Sequence, residues 1–86
     1  MIYTIKYMPR SVKQLSQLPQ QVRVTIVNAI AQLADRDQWN NVKRLTNHKY
    51  QYRLRVGNYR VFFDTEESIV TIYICEIKKR DGNTYK

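Results

Sequence analysis

The alternation in residues 50–60, YQYRLRVGNYR, constrains this chain more tightly than any other stretch. Tyr50, Tyr52, Leu54 and Val56 alternate with Gln51, Arg53 and Arg55, which is the two-residue period of a half-buried strand. Gly57-Asn58 follows and reads as a two-residue hairpin turn, with glycine supplying the positive φ of the first central position. That turn sets a register: Val56 faces Tyr59, Arg55 faces Arg60, Leu54 faces Val61, Arg53 faces Phe62 and Tyr52 faces Phe63. One face of the hairpin is then almost wholly apolar, while the other carries three arginines. Like charges directly opposite each other, as Arg55 and Arg60 would be, destabilise the free protein unless something negative lies between them. The hairpin is therefore expected to seat an anion.

The rest of the chain supplies a support for that hairpin. Ile2 to Tyr7 is rich in β-branched and aromatic residues and predicts a first strand, ended by Pro9. Pro9 then opens a short amphipathic helix with Val12, Leu15 and Leu18 on one side. Pro19 interrupts it and starts a second helix to about Asp35, with Val22, Ile26, Ile30 and Leu33 as its apolar stripe. Asp35 to His48 reads as a polar connection in which Trp39 is a packing anchor. After the hairpin, the polar turn Thr65-Glu66-Glu67-Ser68 leads into Ile69 to Ile77, apolar on both sides as an interior strand would be. The expected fold is a single α+β domain over residues 1–86. It has an N-terminal strand, a two-helix hairpin and a three-stranded antiparallel meander, with the helices packed on one side of the sheet.

Charge narrows the function. The 86 residues hold 15 Lys and Arg against 7 Asp and Glu, a net charge of +8. Residues 38–63 contain no acid at all, yet hold Lys43, Arg44, Lys49, Arg53, Arg55 and Arg60, with six aromatic residues between them. Such a domain meets nucleic acid, an anionic membrane or an acidic protein. A single cysteine, Cys75, excludes an internal disulfide and suits a reducing cytosol, where it reads as a small buried hydrophobe. No apolar run is long enough to span a bilayer, and residues 1–10 lack the core of a signal peptide.

One histidine, one cysteine and scattered acids offer no metal-ligand cluster, and two glycines offer no phosphate loop. His48 is the only histidine and has no nucleophile motif beside it, so it reads as a surface or RNA-contacting residue. Arginine and tyrosine remain, and they suit RNA cleavage by its own 2′-hydroxyl. That reaction needs a group to take the 2′ proton, cations for the pentacoordinate phosphate and a group to protonate the leaving 5′ oxygen. Guanidinium, planar and bidentate towards phosphate oxygens, fits the second task. The same residues would equally describe a plain RNA-binding patch.

The order of elements, the pattern Leu54-Arg55 with Tyr59-Arg60, and the ending Lys79-Arg80 then Tyr85-Lys86 resemble the RelE/ParE superfamily of type II toxins over essentially the whole chain. The resemblance implies a ribosome-dependent endoribonuclease that cuts messenger RNA in the A site and so inhibits translation. It implies metal-free, cofactor-free chemistry in the cytoplasm, silenced by a cognate antitoxin with an acidic covering segment. Carried over to this sequence, it makes Arg60 the stabiliser of the transition-state phosphate and Arg80 the acid or leaving-group stabiliser. Tyr85 becomes the base or a stacking residue, and Arg53 a basic partner. From their charge and position in the chain, Lys43, Arg44, His48, Lys49 and Lys79 are expected, with Arg55, as RNA contacts. Two departures stand out: Gln51 lies where RelE has lysine, and the interval from Arg80 to Tyr85 is one residue shorter. The ParE branch, which poisons DNA gyrase, and a non-catalytic basic module are the alternatives.

Overall fold

In a computed structural model, the structure describes residues 2–80. Strand β1 spans Thr4–Tyr7 and is followed by helix α1 over Pro9–Ser16 and helix α2 over Gln20–Ala31. Four further strands follow: β2 Val42–Arg44, β3 Tyr52–Val56, β4 Tyr59–Glu66 and β5 Thr71–Lys79. They form one mixed sheet in the order β1-β5-β4-β3-β2, with β1 parallel to β5 and every other pair antiparallel. The α+β architecture expected from the sequence is thus present, with a fifth strand added at the hairpin's outer edge and β5 as an interior strand. Among the described residues no helix is long and apolar enough to cross a membrane.

Both prolines act as the sequence suggests, because each sits where a missing N–H costs nothing. Pro9 occupies the first turn of α1, and Pro19 caps α2. Ser11 is fully buried and its hydroxyl donates to the Met8 carbonyl at 2.7 Å, so it carries no unsatisfied group into the core. The helices lay Leu15, Ile26 and Ile30 on Tyr52, Leu54, Val61, Phe63, Ile72, Ile74 and Ile77 of the sheet. Burying each such side chain stabilises the fold by about 1.5–3 kcal/mol. Two helix expectations shift. Val12 is 53% exposed rather than core, and α2 ends at Ala31 before a 3-10 turn over Gln32–Ala34 that buries Leu33.

Trp39 anchors the connection, half-buried, with its indole N–H donating to the Leu33 carbonyl at 2.8 Å and its ring edge-on to Tyr52 and Phe63. The chain held by that anchor is what forms β2, pairing Val42 with Leu54 and Lys43 with Arg53. Tyr3 ties the opposite side together. Its hydroxyl donates to Glu67 at 2.8 Å and accepts from Arg36 at 2.9 Å, and that guanidinium lies over the Trp39 ring.

The hairpin has the register read from its sequence at all five pairs, from Val56 against Tyr59 to Tyr52 against Phe63. Gly57 has φ of +56°, as the turn requires. Tyr50 departs from the expectation: it lies outside β3, and its ring meets Phe62, on the opposite face from Tyr52. The alternation breaks at Gln51, whose backbone N–H donates to Asp64 at 2.8 Å while its side-chain oxygen accepts from the Thr65 N–H at 2.7 Å.

Strand β5 carries a bulge. Phe62 pairs with Glu76 but Phe63 pairs with Ile74, which leaves Cys75 as the extra residue. The insertion brings Ile77, three residues after Ile74, onto the same core face. Past the end of β1 the edge of β5 is covered by α1, where the Gln14 carboxamide accepts the Ile77 N–H at 2.6 Å.

Candidate functional site

The face of the sheet turned away from the helices carries the charge. Strand periodicity puts Arg53, Arg55, Arg60 and Phe62 there, opposite the core-facing Leu54, Val61 and Phe63. Arg55 lies against Arg60, and Arg60 against Lys78, so three cations form one row across three strands. In the next row Lys43 lies against Arg53, Arg53 against Phe62 and Phe62 against Glu76. Glu76 is drawn to the outer edge by Arg10, at 3.6 Å. Neither Arg53, Arg55 nor Arg60 forms a salt bridge among the described residues.

A cleft of about 100 Å³ opens at the hairpin end of this face, lined by Arg53, Arg55, Tyr59, Arg60, Arg80 and the Gly57-Asn58 turn. Arg80 is brought there by its backbone, whose N–H donates to the Asn58 carbonyl at 2.6 Å. One probe-sized volume of about 10–15 Å³ holds a water molecule, so the cleft admits a group of several heavy atoms. Four arginines line this small space, and guanidinium is the side chain best matched to the oxygens of phosphate or carboxylate.

Beside the cleft lies an aromatic stack. His48 packs flat on Phe62, with centroids 5.2 Å apart and planes at 12°, and Tyr50 flanks both. The Tyr50 N–H donates to His48 Nδ1 at 3.0 Å, so Nε2 carries the ring proton of the neutral imidazole. Lys49 lies 5.5 Å from the Tyr50 ring. Phe62 is 7% exposed although it faces away from the helices, because these rings cover it. His48 itself stays exposed.

The structure gathers Arg53, Arg55, Arg60 and Arg80 into one cleft, pairs Lys43 with Arg53, and sets His48 against Phe62 and Lys49 against Tyr50. Arg44 and Lys79 are placed elsewhere. Arg44 pairs with Tyr52 on the helix side and donates to its hydroxyl at 3.0 Å, with the guanidinium 5.4 Å from the ring centre. Lys79 pairs with Tyr59, also on the helix side, because the bulge at Cys75 re-phases the end of β5. Lys78 takes the position on the arginine face, and only knowledge of the bulge would have revealed it. Tyr85 lies outside the described residues. Gln51 does not line the cleft; its side-chain oxygen accepts from the Thr65 N–H and hydroxyl, which ties the start of β3 to β4. Among the described residues no three His, Cys, Asp or Glu side chains gather as a metal site would require. Cys75 contacts Asp64, and burial followed by that carboxylate pushes its thiol up to about 11.

This fold and its charged face define a class: the chain has the architecture of the RelE toxins, as its sequence pattern implies. The archaeal RelE-RelB complex from Pyrococcus horikoshii includes a chain similar to it at 27% identity, with a TM-score of 0.76 over 98% of this chain and 100% of that one. The toxin-antitoxin complex RelBE2 from Mycobacterium tuberculosis gives 22% identity and a TM-score of 0.77 over 93% and 100%. The isolated E. coli RelE toxin gives 14% identity and a TM-score of 0.80 over 96% and 89%. No protein-family model and no curated protein matches the sequence.

Proposed function

We propose that the chain is the toxin of a type II toxin-antitoxin pair and cleaves messenger RNA on the ribosome. The observation that carries this reading is the cleft lined by Arg53, Arg55, Arg60 and Arg80, of which Arg53, Arg55 and Arg60 form no salt bridge among the described residues. In the proposed reaction the 2′-oxygen of one nucleotide attacks its own 3′-phosphate and the bond from phosphorus to the 5′-oxygen breaks. The products are a 2′,3′-cyclic phosphate and a free 5′-hydroxyl. Arg60, at the centre of the cationic row, stabilises the extra negative charge of the pentacoordinate phosphate. Arg53 and Arg55 hold the non-bridging oxygens, and Arg80 serves the leaving oxygen. Tyr85 takes the 2′ proton or stacks on the neighbouring base. His48 on Phe62 supplies a stacking platform one row away.

An antitoxin with an acidic segment is the matching partner, since its carboxylates would occupy the cleft in place of phosphate. The cytoplasm, where ribosomes translate, is the matching compartment. The test is to express the chain in a translating extract and map the 5′ ends of a reporter messenger with and without ribosomes. The expected result is ribosome-dependent cuts within codons. Arg60→Ala should lower cleavage about 10²- to 10³-fold, the scale of losing one transition-state donor, with circular dichroism unchanged. Tyr85→Ala should lower it as well. Intact cleavage in Arg60→Ala overturns the assignment, and DNA breaks without messenger cuts would identify a gyrase poison instead.

A further inference from the structure

A second cleft, of about 240 Å³, lies around the sheet edge from the first, and Arg55 and Gly57 line both. Its walls carry four carboxamides, Gln32, Gln38, Asn40 and Asn41, over a floor that includes Leu33 and Leu54, which are nearly inaccessible to solvent. We propose that this cleft is a nucleobase subsite, which receives the base of a nucleotide whose phosphate sits among the arginines. The proposal rests on the reading of the first cleft as an RNA-phosphate seat and extends it to substrate selection.

Three observations converge. First, the frame is fixed. Trp39 is pinned to the Leu33 carbonyl, and the Asn41 carbonyl accepts the Arg55 N–H at 3.0 Å. Asn41 has φ of +61°, a conformation asparagine tolerates better than most residues, and it turns the chain into β2. The residues flanking Trp39, Gln38 and Asn40, thereby come to line the cleft. Second, those carboxamides are exposed and within reach of a ligand: among the described residues the only hydrogen bond from the four side chains is Asn40 Nδ2 to the Gln38 carbonyl, at a long 3.5 Å. Third, the lining selects by chemistry. Apart from Arg55 at the lip it holds no charged side chain, so it suits neither a second phosphate nor a cation. Each carboxamide offers two donors and an acceptor, the pattern that pairs with base edges at two points, and the apolar floor suits a ring face. Unpaired single-stranded bases are read in this way.

The test is an NMR titration of the full chain with each of the four nucleoside 5′-monophosphates, ribose 5-phosphate and inorganic phosphate. One bidentate base contact corresponds to about a 5- to 150-fold gain in affinity. At least one of the four nucleotides should therefore bind five-fold or more tighter than ribose 5-phosphate, with shifts at the Asn40 and Asn41 amides that inorganic phosphate does not produce. In Gln38→Met/Asn40→Leu that preference should fall to within two-fold, while affinity for inorganic phosphate stays unchanged. Equal binding of all nucleotides and ribose 5-phosphate, or a preference that survives the double substitution, overturns the proposal. Messenger cleavage is scored separately. A base preference without cleavage leaves the subsite standing and removes the nuclease reading, and cleavage without a base preference does the reverse.

Discussion

Arg60 sits between Arg55 and Lys78, so replacing it should make the free protein more stable while removing the cleavage proposed above. Arg60→Met keeps the aliphatic stem that packs on the sheet and deletes the charge. Cross-strand partners have Cβ atoms about 5 Å apart, and long side chains splay somewhat further, so the charges are taken as about 7 Å apart. In water each pair then repels by about 0.6 kcal/mol before screening. With a Debye length of about 8 Å at 0.15 M salt this falls to about 0.25 kcal/mol, and with about 30 Å at 0.01 M it is about 0.5 kcal/mol. Two pairs give a gain of about 0.5 kcal/mol at the higher salt and about 1 kcal/mol at the lower. For a domain of this size the latter corresponds to a rise of about 4–8 °C in Tm. Thermal melts at both salts, with Lys13→Met on the exposed face of α1 as the control for net charge, read this directly. Phosphate should reverse the ranking. At a hundred times its Kd it stabilises the wild type by about 2.7 kcal/mol and should not stabilise the variant. A variant less stable than wild type at 0.01 M salt, or a gain that does not shrink with added salt, would refute the reasoning.

Two further outcomes follow from the groups around the sheet. The Cys75 thiol, raised from 9.0 to about 11, holds about 100-fold less thiolate at pH 8 than in urea, and since a thiolate of higher pKa is the stronger nucleophile, a disulfide reagent should react about 10-fold more slowly in the native protein. A native rate equal to the unfolded one would contradict the burial. Tyr3→Phe removes the hydroxyl shared by Glu67 and Arg36 and should cost about 1–2 kcal/mol at pH 7, measured by urea unfolding. Chiefly through that hydrogen bond, Glu67 titrates below its ordinary 4.5. Its contribution is therefore present above pH 4.5 and lost as pH falls through the lower folded value, so the gap between wild type and variant should narrow towards pH 3.

The hairpin was legible in the sequence because two local rules agree there: the two-residue alternation and a glycine where the turn needs positive φ. The helices were legible because each begins at a proline and repeats its apolar residues at helical spacing. Strand β2 was not, since Val42–Arg44 is too short to show a period, and what holds it is the Trp39 anchor and its pairing with β3. Tyr50 falls on the face opposite to the one the alternation predicts, because the alternation continues in sequence past the point where Gln51 leaves the strand to bind Thr65. Arg53, Arg55 and Arg60 could be grouped from register alone. Arg44 could not be excluded that way, because its placement depends on the pairing of β2. The carboxamide cleft left no sequence signal, as Gln32 and Asn41 meet only through the path of the chain around Trp39.

The bulge at Cys75 behaves like a frameshift within the sheet. Upstream of it, even-numbered residues of β5 face the core, as Ile72 and Ile74 do; downstream the parity is inverted, and Ile77 takes the core while Lys78 joins Arg60. Because Cys75 is the residue left out of the ladder, its deletion would simply close the bulge: Ile74 and Glu76 would become neighbours opposite Phe63 and Phe62, Ile77 would keep the core and Lys78 its place beside Arg60. Drawing Cys75 into a regular ladder at unchanged length would instead move every later residue one step and put Lys79 on the arginine face in place of Lys78. The make-up of the cationic row is thus decided by whether this one residue is skipped, not by which residue is skipped.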